Sequence, residues 1–120
     1  NFSILKCTSE YPAKIKNLNL NKIDYLKKFF RCVIGYSDHY PGYSASILAV
    51  SNGAKIIEKH FTYNKNLKGA DHYISLELKE FKEMVKIIRE IDKIKLANYT
   101  IKNNNTIKEL NHNLTIFYQS

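Results

Sequence analysis

The stretch that decides the fold is Val33-Ile34-Gly35-Tyr36-Ser37-Asp38-His39, followed after a helix-prone segment by Ala54-Lys55-Ile56-Ile57-Glu58-Lys59-His60. Each is a short apolar run that turns polar and then meets a histidine. Between them, residues 43–52 carry Ala45, Ile47, Leu48, Ala49 and Val50, an apolar and compact helix pattern, with Gly53 as its stop. A strand, a crossover helix and a second strand make a parallel pair. The two imidazoles are therefore expected side by side at one edge of one sheet.

The same alternation extends in both directions. Residues 4–7 read as a first strand, leading into the polar loop Thr8-Ser9-Glu10-Tyr11-Pro12. A helix is predicted over 21–30, with Ile23, Leu26, Phe29 and Phe30 at helical spacing. The second and third strands are placed at 33–36 and 55–58. A long polar loop occupies 63–73, and a helix over 78–97 puts Phe81, Met84, Val85, Ile88, Ile91 and Ile94 on one stripe. The class is α/β with a parallel sheet, built from three βα units whose spacing suits an eight-fold barrel, where chemistry sits at the C-terminal ends of the strands. Three units cannot close such a barrel and leave two unpaired sheet edges. Residues 98–120, with Asn103-Asn104-Asn105, read as a linker ending in a strand that begins at 114–118. Because the chain opens on Asn1 inside an apparent strand, the N-terminus is expected to be a cut one.

Composition narrows the function classes. A net charge of +8 on 120 residues invites a nucleic-acid reading, since clustered Lys and Arg displace counterions from phosphates. The lysines here are scattered between apolar helix positions and through loops, which describes a solvated surface, and no nucleic-acid partner is expected. No apolar run is long enough to span a bilayer and no basic-then-apolar leader is present, so no membrane partner and a cytoplasmic location are expected. Cys7 and Cys32 fall at opposite ends of neighbouring strands, roughly 13 Å apart at about 3.3 Å per residue. That is too far for a disulfide, and both are read as free, buried, apolar thiols.

Several side chains could carry chemistry. Imidazoles leaving adjacent strand ends, about 4.8 Å apart, can converge on one ion with positions left open for water and substrate. His39 and His60 meet that condition, and two hydrogen-bonded core histidines would show the same pattern. Glu58, two residues before His60 and on its face, either orients a metal or substrate hydroxyl or pairs with a lysine. Ser9 and Ser37 stand at strand ends, as phosphate-binding hydroxyls or as plain loop serines. Asp71 and His72 lie in the long loop, as a lid over the mouth or as a solvated tip. Tyr11, held extended by Pro12, lines a pocket or packs on the following helix.

Four motifs together go further: Cys7-Thr8-Ser9-Glu10-Tyr11-Pro12, Gly35-Tyr36-Ser37-Asp38-His39, Gly53-Ala54-Lys55-Ile56-Ile57-Glu58-Lys59-His60-Phe61-Thr62 and Asp71-His72-Tyr73-Ile74-Ser75-Leu76-Glu77. In order and spacing they resemble the sialic acid synthase family, which includes N-acetylneuraminate synthase and its legionaminate, pseudaminate and spore-coat relatives. The resemblance covers residues 4–97. It implies the last three βα units of a TIM (β/α)8 barrel at 1–97, and at 98–120 a linker toward an absent antifreeze-like domain. It also implies condensation of phosphoenolpyruvate with an N-acetylated hexosamine aldehyde such as N-acetylmannosamine: the enol carbon attacks the aldehyde, water adds, and phosphate leaves by C–O cleavage. By the same resemblance His39 and His60 match the metal ligands, with Mn2+ or Mg2+ as Lewis acid. Ser9 and Ser37 match phosphoenolpyruvate contacts, Tyr11 and Asp71 match sugar contacts, and Glu58 matches a catalytic carboxylate in the sugar pocket. A homodimeric parent is implied as well.

The sequence departs from the family pattern in places. Tyr40 replaces a Thr, Ala70 replaces a Pro before Asp71, and Ser9 stands where some members carry Asn. The family's phosphate-binding lysines and general acid/base carboxylates come from earlier barrel strands, so the isolated chain is expected to be inactive. The competing expectation is a non-catalytic remnant or interaction module from a broken synthase gene. The resemblance leans toward neuraminate or legionaminate types through Asp71-His72.

Overall fold

The structure, a computed structural model, describes residues 2–69 and 71–97. By compactness the chain divides into residues 1–90 and 91–120, and the described part of the second unit is the end of the last helix. The linker and the strand expected at 114–118 lie outside the described residues. Three strands, β1 (Ser3–Cys7), β2 (Val33–Asp38) and β3 (Ile56–Lys59), form one parallel sheet in that order. Helix α1 (Lys22–Phe29) connects β1 to β2, and α2 (Ser44–Ser51) connects β2 to β3. A loop with a single 3-10 turn at His72–Ile74 leads to α3 (Leu78–Ala97). Among the described residues no helix is long and apolar enough to cross a membrane.

The sheet separates two kinds of side chain by strand alternation. Ile4, Ile34, Tyr36 and Ile57 pack with Ile23, Ala45 and Ala49 into the core beneath the helices. Ala45, Ser46 and Ala49 are almost wholly buried, so small residues let α2 lie close on the sheet. The other face carries Cys7, Val33, Ile56 and Glu58, all exposed. Helix α2 stops as expected at Gly53, whose φ of 96° is open to glycine and strained for other residues. Helix α3 keeps its expected bounds, but of its predicted stripe Met84 alone is buried and Ile94 is exposed.

Two differences from the sequence expectations have clear causes. Strand β2 runs on through Ser37 and Asp38, because both keep parallel partners, Glu58 and Lys59, and their polar side chains are satisfied. Cys7 is exposed where a buried thiol was expected. Lys6 occupies the helix-side position at that end of β1, so alternation turns Cys7 to the open face. Cys32 is half-buried against the core, and both thiols are free as expected.

Gly35 sets how closely β2 and β3 approach on the open face. A Cβ there would fall 2.8 Å from both the Cβ and the carbonyl oxygen of Ile56 and 3.1 Å from Leu5 Cγ. The neighbouring backbone cannot yield cheaply. Gly35→Ala is therefore expected to lower stability by about 1–3 kcal/mol, the usual cost of overpacking. Urea unfolding monitored by circular dichroism would register this as a lowered midpoint, and an unchanged midpoint would contradict the packing argument.

Candidate functional site

The C-terminal ends of the three strands bring four of the expected residues together. Tyr11 stacks on His39, with ring centroids 4.0 Å apart, and meets His60 edge-on at 5.7 Å. The two imidazoles lie edge to face at 5.3 Å. Asp71 Oδ2 lies 3.8 Å from His60 Nδ1, so the long loop does reach the site. The Tyr73 hydroxyl donates to the Tyr11 carbonyl at 3.1 Å, which pins that loop to the one carrying Tyr11. His72, by contrast, turns away and pairs through Nδ1 with the Thr62 hydroxyl at 2.7 Å.

The backbone decides how His39 presents itself. Its Nδ1 lies 3.0 Å from the Thr8 carbonyl oxygen, an acceptor, so Nδ1 carries the proton and Nε2 keeps its lone pair. A second nearby atom, Cys7 Sγ, is 3.8 Å from the same nitrogen. A histidine oriented by a backbone carbonyl through one nitrogen is the arrangement usual for a metal ligand on the other. His60 has no such hydrogen bond among the described residues; the nearest charged atom on its Nδ1 side is Asp71 Oδ2, at 3.8 Å. Imidazole nitrogens are donors that suit a divalent transition ion. Among the described residues no group of three or more His, Cys, Asp or Glu side chains comes together as a metal cluster.

Ser37 and Glu58 form a second pair beside the histidines. They are register partners across the β2–β3 ladder, and the Ser37 hydroxyl donates to Glu58 Oε1 at 2.5 Å. Glu58 is exposed on the open face, and its partner there is the Ser37 hydroxyl rather than a lysine. The reason is that its neighbour Lys59 projects to the helix side and is committed there. Ser9 is exposed in the loop after β1 and is not drawn into the cluster.

The helix-side face of the same strand ends holds a buried polar network that the sequence reading passed over. Asp38 accepts hydrogen bonds from the Tyr40 amide at 2.9 Å and the Ser46 hydroxyl at 2.6 Å, and its carboxylate lies 3.4 Å from Lys59 Nζ. The side chains of Asp38 and Lys59 are 0% and 1% exposed. Lys59 Nζ also donates to the Tyr40 carbonyl. Burial pushes the Lys59 ammonium below its ordinary range, and the Asp38 charge partly restores it. On β1, Lys6 donates to Thr8 Oγ1 at 2.6 Å and to the Leu18 carbonyl, and burial lowers its pKa too. Burial, followed by the Asp38 charge, raises the Tyr36 phenol far above its ordinary value, and its hydroxyl makes no hydrogen bond of normal geometry among the described residues. The available signal was alternation: Asp38 and Lys59, each one residue before a histidine, had to face the helices.

A parallel sheet with imidazole, phenol, carboxylate and hydroxyl groups at its C-terminal edge defines the class: an α/β protein with a polar site at its strand ends. The NeuB family profile matches residues 1–100, and the chain belongs to that family. It is 47% identical over 93 residues to the N,N'-diacetyllegionaminic acid synthase of Campylobacter jejuni, covering 78% of this chain and 28% of that one. It is 43% identical over 94 residues to the human N-acetylneuraminate-9-phosphate synthase, covering 78% of this chain and 26% of that enzyme. The crystal structure of N-acetylneuraminic acid (sialic acid) synthetase from Leptospira borgpetersenii, in complex with citrate, superposes with a TM-score of 0.76 at 38% identity, over 98% of this chain and 39% of that one. The chain thus spans about a quarter of the length of the curated relatives it matches.

The loop that carries Asp71 is also tethered farther along. Lys65 Nζ pairs with Glu80 at the start of α3 at 2.7 Å, and the Lys65 amide donates to Glu77 Oε1. The Lys65 ammonium, followed by the Glu77 amide, holds the Glu80 carboxyl below its ordinary value of 4.5. A depressed carboxyl contributes stability above its unfolded pKa and loses that contribution as pH falls through the folded value. Lys65→Met should therefore be less stable than wild type at pH 7, by at most about 1 kcal/mol for a partly exposed pair. The difference should shrink as the pH drops below 4.5. Thermal unfolding across that range measures it, and a difference independent of pH would rule the tether out.

Proposed function

We propose that this chain is the C-terminal part of the barrel of a nonulosonic acid synthase, residues 1–97 supplying the last three βα units and residues 98–120 leading toward a further domain. The complete enzyme condenses phosphoenolpyruvate with an N-acetylated hexosamine aldehyde such as N-acetylmannosamine and releases phosphate. The observation that carries this reading is the pairing of His39 with His60 at 5.3 Å on adjacent strand ends, with Nε2 of His39 left free by the Thr8 carbonyl.

In this reading His39 and His60 hold a divalent ion, Mn2+ or Mg2+; imidazole donors favour Mn2+, because Mg2+ takes oxygen ligands. The bound ion supplies Lewis acidity at the aldehyde oxygen. Tyr11 and Asp71 bind the sugar, and the tether from Tyr73 to Tyr11 holds the loop over it. Ser9 and Ser37 bind the phosphoenolpyruvate phosphate. A serine hydroxyl has one proton to donate, so Ser37 cannot bond a phosphate oxygen and Glu58 together. Phosphoenolpyruvate therefore takes over the Ser37 hydrogen bond, and Glu58, whose second carboxylate oxygen is open in either case, accepts from a sugar hydroxyl. In this reading Glu58 is the carboxylate that acts on the sugar.

The test uses the full-length polypeptide that carries this segment, assayed for phosphate release from phosphoenolpyruvate with Mn2+ and N-acetylmannosamine or a related hexosamine. His39→Ala and His60→Ala should each lower turnover by at least about a hundredfold, since loss of outer-shell partners alone costs tenfold to a hundredfold. Full turnover in both variants, or no turnover by the unaltered enzyme with any hexosamine aldehyde, would sink the reading.

A further inference from the structure

A buried polar group lies on the face of the strand ends opposite the two histidines. Asp38 and Lys59 are partners on the last rung of the β2–β3 ladder, and each immediately precedes a histidine. Alternation puts their side chains on the face opposite the histidines. From there both grip Tyr40, the residue after His39: Asp38 accepts from its amide and Lys59 donates to its carbonyl. His39 is consequently bracketed between two fixed residues, and the residue that fixes the second of them is covalently next to His60. The Ser46 hydroxyl, donating to Asp38 at 2.6 Å, ties the same point to α2. A fully buried ion pair stabilises a fold less than apolar residues of the same volume would, and its best-attested use is to specify register.

We propose that Asp38, Lys59 and Ser46 form a positioning device that clamps the ends of β2 and β3, holding His39 and His60 at the separation a shared divalent ion needs. The proposal rests on the reading of the two histidines as a cation pair. Its members are positioning residues: they act through the backbone at Tyr40 and through the ladder.

Mn2+ binding, followed by the electron paramagnetic resonance signal of the free ion, tests this in the full-length polypeptide. The double variant Asp38→Asn/Lys59→Met removes the ion pair and leaves no unpaired charge behind. It should keep its circular dichroism spectrum while its Mn2+ dissociation constant rises roughly tenfold to a hundredfold. Met84→Ala, in the packed part of α3, serves as the comparison: it should lower thermal stability and leave Mn2+ affinity unchanged. If the unaltered protein binds no Mn2+, or His39→Ala and His60→Ala bind it normally, the cation reading itself fails. If those two lose binding and the double variant binds like wild type, the positioning role is overturned and the cation pair stands. Should the double variant not fold, Ser46→Ala decides: a weakening of roughly fivefold, as for one lost hydrogen bond, supports the role, and wild-type affinity overturns it.

Discussion

The rest of this structure depends on the register of the β2–β3 ladder. Ser37 faces Glu58 and Asp38 faces Lys59, and from that pairing come both the hydroxyl–carboxylate contact on the open face and the ion pair on the buried one. A slip of one residue would turn every side chain of one strand to the other face. Such a slip in β3 would turn Lys59 to the face of the neighbouring histidine and turn both Glu58 and His60 toward the helices. The absence of a side chain at Gly35 lets the two strands come close enough to hold this register. The chemistry at the mouth is therefore a consequence of how two four- to six-residue strands are paired.

Much of this was legible in the sequence because it obeys short-range rules. Short apolar runs alternating with helical segments, a small-residue helix ended by Gly53 and an amphipathic helix over Leu78–Ala97 sufficed for the α/β class, the parallel order and the placement of His39 and His60. The convergence of Tyr11 and Asp71 on the histidines is a longer-range fact. Motif resemblance anticipated it, whereas spacing alone left Tyr11 divided between pocket and helix packing.

What stayed illegible has a common cause: polar residues at a strand end have two faces to choose from, and composition does not say which is covered. Ser37 and Asp38 look like the start of a loop, yet the first is paired with Glu58 and the second with a lysine and a helix serine, so the strand continues. Cys7 looks like a core thiol, yet Lys6 holds the helix-side position and Cys7 goes to the open face. Lys6 itself is buried because its ammonium finds the Thr8 hydroxyl and the Leu18 carbonyl, partners that no local pattern announces. The carbonyl of Thr8, which orients His39, belongs to a different strand end altogether.

The distribution of charge also explains why, among the described residues, a strongly basic chain gathers no ammonium group with the histidines. Lys6 and Lys59, the lysines of the strands that build the mouth, are both committed to the buried face, one to neutral oxygens and one to Asp38. The groups gathered at the mouth are two imidazoles, a phenol, a hydroxyl and the carboxylates of Glu58 and Asp71. That set attracts a cation and disfavours an anion. For the condensation proposed above, none of these groups supplies the positive charge that would neutralise the phosphoenolpyruvate phosphate. A hydroxyl such as Ser37 can direct a phosphate, but it cannot neutralise one.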